Sequence, residues 1–600
     1  MKLLFLERLA AFCSLLFIAF SPLSIFAQDE LIKIGEGNYS FITVTTSDNQ
    51  SVEVGENTLS ATGLLPNLNA ASRFLAQSSF GADYETIESV ANQGFTGWID
   101  DQQALPNSFS FKDFVLQTTE RRLDSLYANN GDPTDAYPRL DYYHWAWWQN
   151  AMQSPDLLRA RVALALSEIF VVSEIGVIDD YPLAIADYYD MLSQHAFGNF
   201  RDLLYDVTMH PAMGAYLTCV NNPKADPNIN RFPDENYARE IMQLFTIGLY
   251  ELYPNGTRRT DQLGRTLSTY DNNDIAELAK VFTGLMYGDS YLFGQAPASQ
   301  YTYTMPMKMN NYWHEPATKY LLNGYVINER GSPNGMADIN EALDMLFNHD
   351  NVAPFITIRL IQRLVKSNPS PEYVARVAAV FNNSNGVRGD LGAVVKAILL
   401  DPEARSCNEM DNDYAGMLRE PIVRYTHLAR AFNAAAPNGE YRNEMDRFVE
   451  ETGQRPMGSP TVFNFFQPGY QPLGAVQEAG LVAPEFQIIN SQTSIGYLNE
   501  LHEWLFDRNL MEWFRIYGNE NNDDGRVELD LSTEIALVEE GKIEEMIERV
   551  NLIMLHGMMS DRTRKLIVNG LTKLDQSDAD EIVQTAIFLA MVAPDYLIFR

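Results

Sequence analysis

The residues best suited to chemistry crowd the start of one predicted helix, over 234–248. Glu235 and Arg239 stand four residues apart, as do Asn236 and Glu240, so each pair can meet on the surface of a helix. Apolar residues recur between them at helical spacing and would form the buried face. The segment therefore predicts an amphipathic helix that presents two carboxylates, an amide and a guanidinium group.

Two interpretations fit these side chains. In the first, they belong to an ordinary salt-bridged helix whose N-terminal acids complement the helix dipole. In the second, they face a groove, where Glu235 and Glu240 are catalytic carboxylates that act as base or ligand, and Asn236 and Arg239 bind the substrate. Arg239 would then clamp an anionic group. The sequence leaves both interpretations open, and the second names the candidate site.

Histidine supplies the remaining candidates. His314 stands beside Glu315 in a region without regular periodicity, where it could shuttle a proton or bind a metal, or serve only as a hydrogen-bonded structural residue. We predict His314 as a third catalytic residue, and Lys319 and His349 as further binding residues. No HExxH, HxH or CxxC motif is present, so a divalent metal stays an open cofactor prediction without named ligands.

The elements that must position these residues are mostly helices. Helical periodicity dominates after Asn69 and predicts an all-α fold, a large irregular multi-helix bundle over 70–600. Its predicted helices include 155–172 and 199–217. The aromatic run at 142–148 could stack on carbohydrate, but its helical spacing favours a place in the core.

Three stretches interrupt the helical pattern. Residues 253–270 predict a turn with a small hairpin. Residues 287–337 are rich in Tyr, Gly, Pro and Asn, and residues 454–484 begin with a Pro, Gly and Phe-rich run, so sub-boundaries of the helical body are expected near both. Long irregular segments in compact proteins are often functional, which favours a groove built from 287–337 and the 234–248 helix.

The N-terminal segment predicts export. Residues 1–27 have the basic start, the apolar stretch and the small residue, Ala27, of a secretory signal peptide. An uncleaved anchor is the alternative, because 9–27 could just span a bilayer. Residues 28–69 alternate short apolar runs with Gly, Asn and Asp, and predict an extended or β-like segment. We expect a periplasmic, outer-surface or extracellular protein with no later membrane segment.

Charge and cysteine content narrow the classes further. A net charge of −35 repels nucleic acid and anionic lipid, whose binding depends on neutralising phosphates. We therefore predict no nucleic-acid partner and no membrane contact beyond the leader. After cleavage two cysteines remain, Cys219 and Cys407, and in an oxidising compartment they could pair or stay separate.

Seven stretches along the chain carry a family resemblance. They are residues 73–81, 161–173, 235–240 (Glu-Asn-Tyr-Ala-Arg-Glu), 274–284, 314–324, 349–364 and 593–597 (Ala-Pro-Asp-Tyr-Leu). Together they resemble the bacterial family catalogued as domain of unknown function 1800, and the resemblance runs from about Ala70 to Arg600. The family implies a secreted or envelope-associated, mostly helical protein that often accompanies a sulfatase-like secreted protein, the family of unknown function numbered 1501. It has no established activity, so the resemblance transfers positions of interest and no catalytic residue.

One departure from the family bears on metal chemistry. Many members carry Trp-His-x-His-Phe where this chain has Leu-Ser-Glu-Ile-Phe at 166–170, and often a histidine where it has Phe245. Ser167 and Ile169 cannot replace two imidazole ligands, so metal chemistry based on those histidines does not carry over.

Three hypotheses for function follow. The leading one is an exported protein of unassigned activity that works beside the sulfatase-like partner on extracellular polymers. The second is a hydrolase or metal-assisted enzyme with a Glu/Arg/His cleft. The third is a structural or adhesive surface protein, for which the sequence offers acidity and aromatic residues but no adhesive repeat.

Overall fold

The predicted all-α class is correct. The computed structural model describes residues 67–406, 412, 415–442, 445–506 and 527–600, and the backbone of two short strands nearer the N-terminus. In this part of the chain there are 25 α-helices. The first ten are α1 Leu68–Ser78, α2 Tyr84–Gln93, α3 Phe95–Ala104, α4 Phe111–Ala128, α5 Leu140–Gln153, α6 Leu157–Ser167, α7 Pro182–Gln194, α8 Phe200–Met209, α9 Pro211–Tyr216 and α10 Asn236–Gln243.

The second half of the chain continues the same architecture. Its helices are α11 Asn272–Val281, α12 Gly335–Phe347, α13 Val352–Leu364, α14 Pro371–Asn382, α15 Leu391–Leu400, α16 Pro402–Arg405, α17 Pro421–Ala431, α18 Asp446–Thr452, α19 Ala475–Glu478, α20 Ser491–Phe506, α21 Ser532–Glu539, α22 Ile543–Leu555, α23 Asp561–Leu571, α24 Ala579–Met591 and α25 Pro594–Leu597. None of the helices among the described residues is long and apolar enough to span a bilayer.

Strands are short and pair only in twos within the described residues. The antiparallel pairs are β1 Thr43–Thr45 with β2 Ser51–Glu53, β3 Leu285–Met286 with β4 Lys308–Met309, β5 Lys319–Tyr320 with β6 Val326–Ile327, and β7 Met417–Leu418 with β8 Ile598–Phe599. The first pair confirms the predicted β-like N-terminal segment. Single bridges Tyr250–Ser268, Leu252–Arg258 and Thr260–Thr266 confirm the small hairpin near 253–270.

A contiguous apolar core holds the helices together and takes in residues from Ala71 to Tyr596. The aromatic run of α5 belongs to it, since Tyr143, Trp147 and Trp148 are almost completely buried. The interpretation of this run as core is therefore correct, and the carbohydrate-stacking alternative for it is wrong. Buried aromatic rings of this size contribute much of the apolar area that stabilises a fold.

The two ends of the helical body meet. Ser72 on α1 donates a hydrogen bond to the Leu552 carbonyl on α22 at 2.7 Å, and Arg73 donates to the Arg600 carbonyl at 2.6 Å. The β7–β8 pair joins the chain end to the segment that precedes α17. These long-range contacts fix the start of α17, which carries a residue of the site described below.

Three predicted helices differ from the observed ones. The predicted 199–217 helix is broken into α8 and α9 at Pro211, because proline forces the preceding His210 into an extended conformation. The predicted 234–248 helix is shorter, since α10 ends at Gln243 and the Thr246 hydroxyl takes the Ile241 carbonyl as its acceptor at 2.5 Å. The predicted 155–172 helix ends at Ser167.

Some predictions fall outside the described residues. These are the signal peptide at 1–27, most of the segment 28–69, and Cys407. Cys219 is buried, and burial raises the pKa of its thiol to about 12. Whether Cys219 and Cys407 pair stays a prediction.

Gly81, in the turn between α1 and α2, provides a test of the packing. It has a φ of +111°, and a Cβ placed there would lie 2.7 Å from the Cα of His427 on α17. Gly176 has a similar φ of +106° but nothing within 4 Å of the same position. We expect Gly81→Ala to lower the free energy of unfolding by about 1–3 kcal/mol more than Gly176→Ala, because only the first adds a backbone clash to the shared conformational strain. Urea unfolding measures the difference, and equal losses would contradict the close approach.

Candidate functional site

The residues predicted on the 234–248 helix divide between surface and interior. Asn236 is exposed, and Glu235 and Arg239 are partly exposed and form an ion pair at 3.7 Å. Glu240 is buried, its Oε2 makes no hydrogen bond within the described residues, and burial raises the pKa of its carboxyl group against the opposing charge of Arg239. This helix therefore matches the salt-bridged interpretation on its outer face and carries one buried acid on the inner face.

His314 and Lys319 come together around a carboxylate that the sequence did not single out, Asp338 on α12. Lys319 Nζ lies 2.7 Å from Asp338 Oδ2, His314 Nε2 lies 3.1 Å from the same oxygen, and Arg330 Nε lies 2.6 Å from Oδ1. Burial alone would raise the pKa of Asp338, but the hydrogen bonds with His314, Lys319 and Arg330 lower it below its usual value. The group is a buried ion cluster that ties the 314–330 loop to α12.

Both ring nitrogens of His314 have protein partners. Nδ1 lies 2.9 Å from the Thr283 carbonyl, and Nε2 contacts the Asp338 carboxylate. Both ring nitrogens are therefore occupied by protein groups, and neither is offered to a substrate or a metal. The catalytic role of His314 stays a prediction that this geometry does not support.

His349 and the residues of the 234–248 segment make contacts separate from those of His314. The Nδ1 of His349 accepts a hydrogen bond from the Asn351 backbone at 3.1 Å, and burial lowers the pKa of its imidazole. Within the described part of the chain, no hydrogen bond or ion pair joins His314 or His349 to Glu235 or Glu240. The predicted Glu/Arg/His cleft is therefore not assembled by direct contacts.

A second buried group has the properties expected of a site, and we call it the carboxyl cluster. It consists of Arg161 on α6, Glu168 directly after α6, Arg363 on α13, Glu420 at the start of α17, and Glu485 in the 3₁₀ turn 484–487. Each of the five is at most 5% exposed. Three carboxyl groups face two guanidinium groups, so burial leaves the carboxyls short of positive charge and favours proton uptake.

Glu168 and Glu420 form the centre of this cluster. Their carboxyl groups are neighbours, since the Gln454 Nε2 atom lies within hydrogen-bonding distance of an oxygen of each. Burial raises the pKa of Glu168, and the charge of Glu420 raises it further, against Arg363 and Arg161. Gln454 holds the pair, since its Nε2 donates to Glu420 Oε2 at 2.5 Å and its Oε1 accepts from the Ile422 backbone at 3.1 Å.

Arg363 and Glu485 complete the cluster on the other side. Arg363 Nε lies 2.8 Å from Glu168 Oε2, and its guanidinium group lies 4.4 Å from the centre of the Phe466 ring. Burial raises the pKa of Glu485 to about 8, with the charge of Glu420 acting in the same direction. Glu485 is therefore protonated at neutral pH, and it accepts a long hydrogen bond of 3.4 Å from Ser367.

Several polar atoms of the cluster lack partners. Within the described residues no hydrogen bond reaches Nε and Nη1 of Arg161, Nη1 of Arg363, Oε1 of Glu420 or Oε1 of Glu485. Such atoms are costly when buried, so a concentration of them points to water or to a ligand. Two narrow crevices reach the cluster, one lined by Ser167, Glu168 and Gln454, the other by Arg161, Arg419 and Glu420.

The segment 456–465 covers the first crevice. Pro456, Met457, Ser459, Asn464 and Phe465 line it, and the side chains of Ser459 and Asn464 also have polar atoms without partners among the described residues. Met457 and Asn464 have φ values of +60° and +67°, a left-handed conformation that non-glycine residues rarely adopt. Strained backbone of this kind is often found at functional sites, where the surrounding structure maintains it.

Of the positions that depart from the family signature, Ser167 lines the first crevice. The ring of Phe245 packs 5.3 Å from that of Phe170. The surroundings of Phe245 are thus apolar, and they do not suit a metal ion. In the described ranges no group of three His, Cys, Asp or Glu side chains is arranged to hold one.

The sequence contained only part of the signal for this cluster. Arg161 and Glu168 lie two turns apart in a stretch that carries the family resemblance, which could have marked them as a pair on one helix face. Glu420 and Glu485 lie hundreds of residues further along in unremarkable contexts. Only the folded chain brings them into contact.

Comparison with known proteins gives one match. A family model described as "Protein of unknown function (DUF1800)" matches residues 73–598, which confirms the family predicted from the sequence. No curated protein and no solved structure matches the chain.

Proposed function

The chain belongs to the DUF1800 family, and we propose that it is an exported hydrolase that cleaves acyl bonds in extracellular polymers, with Glu168 and Glu420 as its acid–base pair. The observation that supports the proposal is the burial of these two neighbouring carboxyl groups, joined through Gln454 Nε2, beside guanidinium N–H groups without partners among the described residues. Two neighbouring carboxyls, one protonated and one ionised, provide an acid and a base at the same pH. The predicted leader supports export, and the predicted sulfatase-like protein would act beside the enzyme on the same polymer.

The chemistry follows from the two protonation states of the pair. The Glu420 carboxylate takes a proton from a water molecule while the water oxygen bonds to the acyl carbon, and Glu168 donates its proton to the carbonyl oxygen. The tetrahedral intermediate then collapses: the bond to the leaving group breaks, the leaving group takes the proton from Glu420, and Glu168 recovers a proton from the hydroxyl that becomes the carbonyl. Free N–H groups of Arg161 and Arg363 can hold anionic charge that develops on the substrate.

The narrow crevices require the 456–465 segment to move before a polymer can reach the pair.

The test uses the mature chain and a set of ester and amide substrates, including acetylated polysaccharides and short peptides. We expect Glu420→Gln and Glu168→Gln to lower the turnover rate by at least about 10²-fold, since each removes one proton-transfer step. Glu534→Gln is the matched control, because Glu534 is 2% exposed and ion-paired to Arg549 but lies on α21, outside the cluster.

Two results would overturn the proposal. One is a wild-type protein that hydrolyses none of these substrates. The other is a folded Glu420→Gln variant that keeps its turnover rate. A Glu240→Gln variant separates the two candidate sites, because a loss of activity there with retention in Glu420→Gln would favour the residues predicted on α10.

A further inference from the structure

Four aromatic side chains lie on two neighbouring loops, beside a third loop that carries Lys224 and Arg231, and we call the four the aromatic platform. It consists of Tyr291, Phe293, Tyr312 and Trp313. Tyr291 is 93% exposed and Tyr312 is 73% exposed, whereas Phe293 and Trp313 are half-buried. Exposed aromatic side chains grouped on one surface are typical of a binding surface.

The rings are arranged at defined angles. Phe293 stacks on Trp313 with 4.9 Å between ring centres and 17° between planes, and Tyr312 meets Trp313 edge to face at 5.4 Å and 88°. Lys224 Nζ lies 4.8 Å from the centre of the Tyr312 ring, and the Arg231 guanidinium lies 5.5 Å from that of Trp313. The platform therefore combines flat apolar faces with nearby hydrogen-bond donors.

One backbone hydrogen bond and two from the Asn221 side chain join the three loops into one unit. Lys224 N donates to the Trp313 carbonyl at 2.9 Å. Asn221 reaches the third loop, since its Oδ1 accepts from Gly294 N at 3.0 Å and its Nδ2 donates to the Gln295 carbonyl at 3.1 Å. Little ordering of these loops is needed when a ligand binds, which favours affinity.

The buried ion cluster around Asp338 holds in place the loop that carries Tyr312 and Trp313. Trp313 directly precedes His314, whose ring is fixed between Thr283 and Asp338. His314 and Lys319 therefore act as positioning residues for the loop that presents the rings. Their burial, which does not suit a catalytic role, suits this one.

The charge of the chain decides between ligand classes. A net charge of −35 repels polyanions and a second copy of the same chain. At the platform, Asp226 and Asp234 lie in the same loop as Lys224 and Arg231, so the local surface carries both signs. A neutral ligand with apolar C–H faces and many hydroxyl groups matches flat rings bordered by donors and acceptors.

We propose that the aromatic platform binds a neutral polysaccharide chain, whose sugar rings stack on Tyr312 and Tyr291 and whose hydroxyls accept hydrogen bonds from Lys224 and Arg231. This inference names the class of the extracellular polymer and so builds on the proposed function, but it concerns binding and requires no hydrolysis. Aromatic contacts of this kind each contribute up to roughly tenfold in affinity.

The test is affinity electrophoresis of the mature chain in gels that contain a β-glucan, a mannan, a xylan or the acidic polymer alginate. We expect retardation by at least one neutral polymer and none by alginate. The Tyr312→Ala variant should bind about tenfold more weakly, and the Tyr291→Ala/Tyr312→Ala double variant more weakly still. Tyr127→Ala is the matched control, since Tyr127 is 61% exposed but lies on α4.

Three results would overturn the inference: no retardation by any neutral polymer, retardation by alginate alone, or Tyr312→Ala retardation equal to that of wild type. Light scattering in the same buffers identifies self-association through the platform, which would also overturn it. The Glu420→Gln variant separates the two proposals. Binding retained in that variant supports the platform whatever its hydrolytic activity. Hydrolysis without platform-dependent binding supports the acid–base pair and overturns the platform.

Discussion

Replacement of Asp338 by Asn will lower the free energy of unfolding by about 3–5 kcal/mol, the usual cost of removing one partner from a buried ion pair. Asn keeps the shape of the side chain and removes its charge. Lys319 and His314, each 1% exposed, would then be left without their counter-charge, while Arg330, 32% exposed, can turn to water and to Glu341. The loss therefore comes mainly from the two buried partners, Lys319 and His314.

The same helix provides the control. Asp344 on α12 forms an ion pair with Arg201 at 2.6 Å, but its side chain is 60% exposed. Surface pairs of this kind contribute about 0–1 kcal/mol, so Asp344→Asn should change the free energy of unfolding little. Urea unfolding at pH 7 measures both variants, and a small loss for Asp338→Asn would mean that the cluster is not buried as described.

The pH dependence gives Asp338→Asn a second signature. The pKa of Asp338 is lowered in the folded protein, so its contribution is present above the ordinary carboxyl value of 3.8 and is lost as the pH falls below it. At acidic pH, the free energy of unfolding of the wild type should therefore no longer exceed that of the variant. A purely steric defect in the variant would persist at every pH.

Weakening the ion cluster around Asp338 should also reduce ligand binding at the aromatic platform. The 314–330 loop is held to α12 through Asp338, and Trp313 lies next to His314. Asp338→Asn should thus reduce polysaccharide binding even where the protein remains folded. In this proposal the rings of the platform lie within 287–337, the irregular segment that the sequence marked as a possible wall of a groove.

The sequence predicted the helical class because periodicity is a local property. It marked His314 and Lys319 because they stand out in an irregular segment, but their partner Asp338 looks like an ordinary acid in the first turn of a helix. The apolar periodicity continues past Gln243 and therefore placed the end of α10 too late, because it does not reveal the hydrogen bond from the Thr246 hydroxyl to the Ile241 carbonyl.

The carboxyl cluster shows more clearly what local sequence pattern does not predict. In the sequence, Glu420 is an acid before a proline that starts a helix, and Glu485 is an acid in a loop. Nothing near either residue indicates burial or a carboxyl partner. A single sequence records which residues are present, whereas the proximity of Glu168 to Glu420 depends on how chain segments far apart in sequence pack together.

Glu485→Gln should make the free energy of unfolding less dependent on pH. Burial raises the pKa of Glu485 to about 8 in the folded protein, compared with 4.5 for a free side chain. Between these values the folded state keeps a proton that the unfolded state releases, so this group makes the wild type less stable as the pH rises, by about 1.4 kcal/mol per pH unit. Gln cannot titrate, and the variant lacks this loss.

The measurement is the difference between variant and wild type, because other buried groups also titrate. Burial raises the pKa of Glu168 and lowers those of His427 and His556, and these contributions are shared by both proteins. From urea unfolding at several pH values, we expect Glu485→Gln to gain roughly 3–5 kcal/mol relative to wild type between pH 4.5 and pH 8.

Glu540→Gln supplies the contrast for this experiment. Glu540 is fully exposed beside Lys542, which lowers the pKa of its carboxyl group, so its substitution should change the pH dependence only below about 4.5. Parallel curves for wild type and Glu485→Gln across the neutral range would mean that Glu485 is ionised in the folded protein. The cluster would then hold more negative charge beside Glu420, which would favour the proton on the Glu168–Glu420 pair. The Glu485 experiment therefore reports on the charge balance that the proposed acid–base chemistry requires.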